Sequence, residues 1–182
     1  MAGRTGLVVI DLQAAMLAEE PPAHRREEML AAVGDLLAKA RAAEAPVVFI
    51  RHHEEGYEQM QPGHPGFEVH RAVAPLERET IIDKRTADAF CETPLQKTLD
   101  ALGVETIVVA GMQTQLCVDT TCRSALHRDY DVVLVGDGHS TWDTPDLSAA
   151  QIVAHVNATL AGMPHPRRKI VVRPASEVTF GS

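Results

Sequence analysis

Cys117, Asp11 and Lys84 are the residues whose types and placement suit them to act together. A thiol attacks carbon as its thiolate, so at neutral pH it needs a group to take its proton. A carboxylate serves as that base, and an ammonium group steadies the resulting anion. Each of the three follows an apolar, largely β-branched run. Asp11 ends Leu7-Val8-Val9-Ile10-Asp11, Lys84 ends Ile81-Ile82-Asp83-Lys84, and Cys117 closes Gly111-Met112-Gln113-Thr114-Gln115-Leu116-Cys117 after the run Val104–Ala110. In open parallel sheets ligands bind beyond the carboxyl ends of the strands, which is where such residues fall. Cys117 also stands at the expected start of a helix running to Asp129. Positive potential there is expected to lower the thiol pKa, and backbone N–H groups to receive an oxyanion. Taken singly, a Cys near a strand end is commonly a small core residue and a strand-end Asp a turn or cap. Cys91, in Ala89-Phe90-Cys91, and Cys122, five residues beyond Cys117, are read as packing residues.

The elements that must position these groups follow from periodicity. Gly6–Ile10, Pro46–Ile50, Thr80–Ile82, Val104–Ala110, Asp131–Val135 and Lys169–Val172 are short apolar runs, as in strands buried on both faces of a parallel sheet. Stretches of helical period, Arg25–Ala43, Thr93–Leu102, Leu116–Asp129 and Leu147–Leu160, lie between most of them. Strand and helix in alternation predict an α/β fold, a doubly wound sheet with helices on both faces. Thr93 followed by Pro94 reads as an N-cap with proline at the first helical position, and Gly103 as the stop. The segment from His53 to Pro75 has no sustained period and is long for a loop, so it is expected to wall the binding pocket.

Bulk properties narrow the function class. At 182 residues, with 45% hydrophobic and 23% charged residues, the chain is read as one globular domain over residues 1–182. A net charge of -8 without a long Lys/Arg cluster argues against nucleic acid and against an anionic membrane. A small-molecule substrate is the expected partner. The longest apolar runs, such as Thr106–Met112, fall far short of the ~20 residues that span a bilayer, and no charged-then-apolar leader opens the chain. A cytoplasmic location follows as the expectation. Three cysteines cannot all pair with one another, and none has zinc-type spacing, which suits free thiols in a reducing compartment.

Val9-Ile10-Asp11-Leu12-Gln13, Asp83-Lys84, Gly111-Met112-Gln113-Thr114-Gln115-Leu116-Cys117-Val118-Asp119-Thr120-Thr121 and Asp137-Gly138-His139-Ser140-Thr141 together resemble the isochorismatase-like cysteine hydrolases, over nearly the whole chain. The resemblance implies a three-layer αβα, Rossmann-like architecture with about six mainly parallel strands. It implies Asp11, Lys84 and Cys117 as a catalytic triad, and a non-proline cis peptide between Met112 and Gln113. It also implies an oxyanion hole from the amides of Gln113 and Cys117, and a homo-oligomer, dimer or higher. The implied reaction is hydrolysis of a C–N bond in a small amide, ureido or lactam substrate through a thioester, with no cofactor.

Nicotinamidases of that family hold a metal with an Asp-x-His pattern after the second strand. Here the stretch reads Phe49-Ile50-Arg51-His52-His53, without the Asp, so no metal is expected, although His52, His53, His64 and His70 remain ligand types. Gln13, Phe90 and Trp142 are the candidate substrate contacts, with Tyr57 and Phe67 as further aromatics near the expected crevice, and His139 is assigned a structural role. Three rivals stand beside this reading. One is isochorismatase-type cleavage of a vinyl ether, which does not use a cysteine. The others are a binding protein of the same fold and a redox sensor pairing Cys117 with Cys122.

Overall fold

A computed structural model describes residues 3–181. Six strands form one sheet in the order β3-β2-β1-β4-β5-β6, every neighbouring pair parallel. They are β1 (Arg4–Ile10), β2 (Val47–His52), β3 (Thr80–Lys84), β4 (Val104–Met112), β5 (Asp131–Ser140) and β6 (Ile170–Arg173). The chain lays β2 and β3 outward from one side of β1, then returns to place β4 on its other side. Adjacent connections therefore leave in opposite directions between β1 and β4, and a crevice opens at their carboxyl ends.

Alternation along β1 divides the core. Leu7 and Val9 pack toward α2 (Arg26–Ala42), while Val8 and Ile10 pack toward α3 (Leu95–Ala101), α4 (Asp119–His127) and α5 (Ala149–Ala161). The result is three layers. On α2 the buried residues Met29, Leu30, Val33, Leu36, Leu37 and Ala40 recur at helical spacing and form one stripe. Lys39, near the end of α2, donates to the carbonyls of Ala175, Ser176 and Val178 and so straps the segment after β6 onto the helix. Ser148 and Gln151 form a reciprocal capping box that starts α5. No helix among the described residues is long and apolar enough to cross a membrane.

Several boundaries differ from expectation. A five-residue helix, α1 (Ala14–Ala18), follows β1 and has no counterpart in the sequence reading. The third helix starts at Leu95 rather than Thr93, yet the Thr93 hydroxyl still accepts from the Leu95 N–H. A π turn over Thr114–Val118 precedes α4, so the helical path begins before Leu116 and ends at His127 rather than Asp129. β5 continues beyond Val135, because after an irregularity the ladder resumes with Gly111 beside His139 and Met112 beside Ser140. Residues 136–140, beyond the expected end of the fifth strand at Val135, are thus strand as well. The long stretch after β2 contains three short 3-10 turns that bury Met60, Phe67 and Val73.

Candidate active site

Asp11 follows β1 directly in the left-handed backbone region, φ 51°, a conformation that Asp tolerates better than most residues. Its N–H donates to Ile50 O, 3.0 Å away, which ties the turn to β2. Gly111 lies alongside Ile10 in the β1–β4 ladder with φ 131°, where a Cβ would sit 2.0 Å from Ile10 O. Only glycine lets β4 approach this closely before it turns toward Cys117.

The three expected residues converge. Lys84 Nζ lies 2.8 Å from Asp11 Oδ2 and 3.1 Å from Cys117 Sγ. Asp11 and Lys84 are buried, and Cys117 is partly buried. The second carboxylate oxygen, Asp11 Oδ1, has no hydrogen-bond partner among the described residues. Burial, and then the negative charge of Asp11, push the Cys117 thiol up to about 12, with Lys84 pulling the other way. This corrects the expectation of a lowered thiol pKa: the resting group is S–H beside an ionised carboxylate. For Lys84, burial pulls downward, but Asp11 and Cys117 outweigh it and the ammonium is held above its ordinary value. Proton transfer from Sγ to Asp11 would move one negative charge between two neighbours of the same ammonium. The net charge of the site is unchanged by that step, which is how a thiolate can arise in a buried place.

His52 is the member of this group that sequence reasoning missed. It ends β2 beside Lys84 in the β2–β3 ladder, and its Nδ1 accepts from Lys84 Nζ at 3.2 Å. Burial and the Lys84 charge lower its pKa, so the imidazole is neutral and serves as an acceptor. The signal available in the sequence was its position: read as a loop histidine, it is a strand-end residue like Asp11 and Lys84.

The backbone that carries Cys117 is fastened from behind. The Met112–Gln113 peptide is cis, as the resemblance implied. Cys117 lies inside the π turn rather than at a helix start, and the Gln113 carbonyl accepts from the N–H groups of Leu116 and Val118. Asn157 Nδ2 donates to Gly136 O, which turns Asn157 Oδ1 toward His139 Nε2 at 2.9 Å. That nitrogen therefore donates, and His139 Nδ1 accepts from the Thr114 hydroxyl at 2.9 Å. Burial lowers the His139 pKa and keeps the ring neutral. A buried chain Thr114–His139–Asn157 thus pins the first residue of the π turn to α5.

Above the thiol lies a crevice of about 660 Å³, within the range of small-molecule sites. Asp11, His52, Gln113 and Cys117 form its polar floor, and Met16, Met60 and Leu116 supply apolar walls. Trp142 lines it, with its indole N–H donating to Pro21 O at 2.9 Å. Of the segment expected to wall the pocket, Glu54, Tyr57 and Met60 reach the crevice.

Two expected substrate contacts do not reach it. Gln13 is fully buried, and its side chain clamps the backbone: Nε2 donates to His52 O and Phe67 O, and Oε1 accepts from His52 N. Phe90 is buried in the core among residues of α3 and α4, stacked on Tyr130 at 5.9 Å with Arg128 over its ring. Phe67 is also buried, beneath the Arg51 guanidinium. The histidines do not gather. His53 meets Gln61, while His64 and His70 accept from the N–H groups of Gly66 and Ala72. Among the described residues no three His, Cys, Asp or Glu side chains are grouped to hold a metal ion. Cys122, on the buried side of α4, is wholly enclosed in the core.

Comparison with known proteins adds a third line. The isochorismatase domain model matches residues 5–161. A streptothricin hydrolase of Streptomyces noursei is 38% identical over 139 residues, covering 76% of this chain and 55% of the relative. The chain spans about half the length of the streptothricin hydrolases it matches. An isochorismatase family protein of Bacillus subtilis, YddQ, is 36% identical over 140 residues, covering 75% of this chain and 78% of the relative. The crystal structure of a cysteine hydrolase from Pseudomonas syringae pv. phaseolicola superposes with a TM-score of 0.83 at 28% identity, covering 96% of this chain and 90% of that one.

Proposed function

The chain belongs to the isochorismatase family of hydrolases, and from that premise we propose that it cleaves a carbon–nitrogen bond of a small amide, ureido or lactam substrate with Cys117 as nucleophile. The observation that carries this reading is the Cys117 thiol at 3.1 Å from Lys84 Nζ, which in turn is 2.8 Å from Asp11. Vinyl-ether cleavage would leave that thiol without a task.

In the proposed cycle Asp11 takes the Sγ proton as the sulfur electron pair attacks the substrate carbonyl carbon. The carbonyl π pair moves to oxygen, and the amide N–H groups of Gln113 and Cys117 receive the developing charge. Lys84 stays protonated and offsets the negative charge, whichever neighbour carries it. Collapse of the tetrahedral anion breaks the C–N bond, and the leaving nitrogen takes the proton from Asp11. Asp11 then draws a proton from water as it attacks the thioester. Collapse of the second tetrahedral anion releases a carboxylic acid, or a carbamic acid from a ureido substrate, and the proton returns to Cys117. His52, neutral and accepting from Lys84, keeps the ammonium aimed between carboxylate and sulfur.

The test is to incubate wild type, Cys117→Ala and Asp11→Asn with a panel of small amides, ureides and lactams. Amine release is followed, and acyl groups on Cys117 are trapped for intact-mass measurement. Turnover by wild type alone, with a mass adduct at Cys117, is the expected result. Consumption of isochorismate that survives Cys117→Ala, with no amide turned over, would replace this reading with ether cleavage.

A further inference from the structure

Beyond its reactive floor the crevice is unevenly charged. Glu19 and Glu20, just past α1, and Glu54, just past β2, line it, against one lining cation, Arg85. Arg85 is itself drawn toward a further carboxylate, Glu55, at 3.8 Å. Glu20 has a distant partner in Arg26, also at 3.8 Å, whereas Glu19 and Glu54 form no salt bridge among the described residues. On the floor Lys84 offsets Asp11, His52 is neutral, and the buried Asp11 Oδ1 still lacks a donor. Two aromatic side chains complete the mouth with their polar ends already committed. The Tyr57 hydroxyl donates to Glu19 Oε1 at 2.6 Å, and the Trp142 indole N–H donates to Pro21 O. What Tyr57 and Trp142 have left to offer an occupant is ring surface, which attracts cations.

We infer that the substrate is a cationic amide, carrying an ammonium or guanidinium group apart from the scissile carbonyl, and that Glu19 and Glu54 with the rings of Tyr57 and Trp142 receive that group. An anionic substrate would meet three carboxylates for one guanidinium and would lose hydration without compensation. A cation seated there also lies over the negative charge that passes between Asp11, sulfur and the carbonyl oxygen, so its field favours the reaction it accompanies. This inference rests on the cysteine hydrolase reading for the identity of the scissile group.

Two measurements test it. The first needs no turnover: the rate at which Cys117 is labelled by aminoethyl, methyl and sulfonatoethyl methanethiosulfonate, with Cys117→Ala to subtract labelling elsewhere. The cationic reagent should react at least tenfold faster than the anionic one. The ratio should shrink in the Glu19→Gln/Glu54→Gln variant and as salt rises. The second compares kcat/KM for 6-aminohexanamide, hexanamide and adipic acid monoamide, which should fall in that order, with the double variant losing more on the first than on the second. Equal labelling rates, or an anionic preference in either measurement, overturn the inference and leave cysteine hydrolysis standing wherever acyl adducts form. Absence of turnover and of adducts across amides of every charge overturns the hydrolase reading and this inference with it.

Discussion

Lys84 and Asp11 meet at 2.8 Å with almost no solvent-exposed surface on either side chain. An ion pair so enclosed is costly to break from one side, because the remaining charge keeps its desolvation penalty and loses its partner. Asp11→Asn and Lys84→Met should each lower the unfolding free energy by about 3–5 kcal/mol. The double variant should recover much of that loss, since neither charge is then stranded. Urea unfolding of the four proteins measures the coupling. Strictly additive losses would mean that the two groups do not depend on one another.

The same carboxylate makes an unusual prediction for the thiol. With Asp11 ionised, burial and its charge hold Cys117 at about 12. Asp11→Asn removes an opposing charge while Lys84 remains, so the midpoint for alkylation of Cys117 should move down in pH. Turnover should nevertheless fall ~10²–10⁴-fold, because the proton acceptor is gone. Lys84→Met should move the midpoint the other way. Alkylation rates against pH, set beside turnover, separate ease of thiolate formation from catalysis. An unmoved midpoint in Asp11→Asn would sink the account.

His139 should matter through Thr114 rather than through the substrate. Removing it in His139→Ala unfastens the π turn from α5 and leaves the Thr114 hydroxyl and Asn157 Oδ1 without a partner. A misplacement near 1 Å can cost on the order of 10²-fold in rate. We expect kcat to fall roughly 10–100-fold, with KM little changed. Thr114→Val should give a similar defect, and the two should not add, as befits one chain of contacts. A KM effect without a kcat effect would instead place His139 at the substrate.

Away from the site, Glu79 supplies a pH-dependent increment of stability. Burial tends to raise its pKa, but two hydrogen bonds from Arg41 and one from the Leu76 N–H prevail, and the folded carboxylate lies below its ordinary value of 4.5. A depressed folded pKa means that the contribution is present above the unfolded pKa and is lost as pH falls through the folded one. Wild type should therefore lose stability more steeply than Glu79→Gln below about pH 4.5, and thermal unfolding between pH 6 and pH 3 reads the difference. Parallel curves would remove Glu79 from the acid response.

All six strands were legible because burial on both faces of a parallel sheet writes itself as short apolar runs. Polar strand ends were not. Arg51 and His52 look like the close of β2, yet the ladder continues through Arg51 beside Asp83, joined by an ion pair, and His52 beside Lys84. Gly136 and Gly138 hid the end of β5 in the same way, since glycines after an apolar run read as a turn. The π turn and α1 are five residues each, too short for a period to emerge. Asp11, Lys84 and Cys117 were found because strand direction sends the residue after each strand to one end of the sheet. Gln13 and Phe90 went astray for a related reason: proximity in sequence to the site does not fix which way a side chain points. Gln13 turns inward to satisfy the backbone of His52 and Phe67, and Phe90 turns into the core beside Tyr130.

The order β3-β2-β1-β4 also decides when the three candidate residues come together. Lys84 arrives with an outer strand, Asp11 with the central one, and Cys117 only after the chain has crossed back to lay down β4. Contacts so distant along the chain form late and together. A nascent chain with its first three strands assembled holds the carboxylate and the ammonium but no sulfur, and an unfolded chain holds three ordinary thiols of similar reactivity. The distinction among Cys91, Cys117 and Cys122 is thus acquired rather than inherited: it appears with the completed central sheet, so acylation of Cys117 by a substrate, which needs Asp11 and Lys84 beside the sulfur, would report that the last of these four strands has docked.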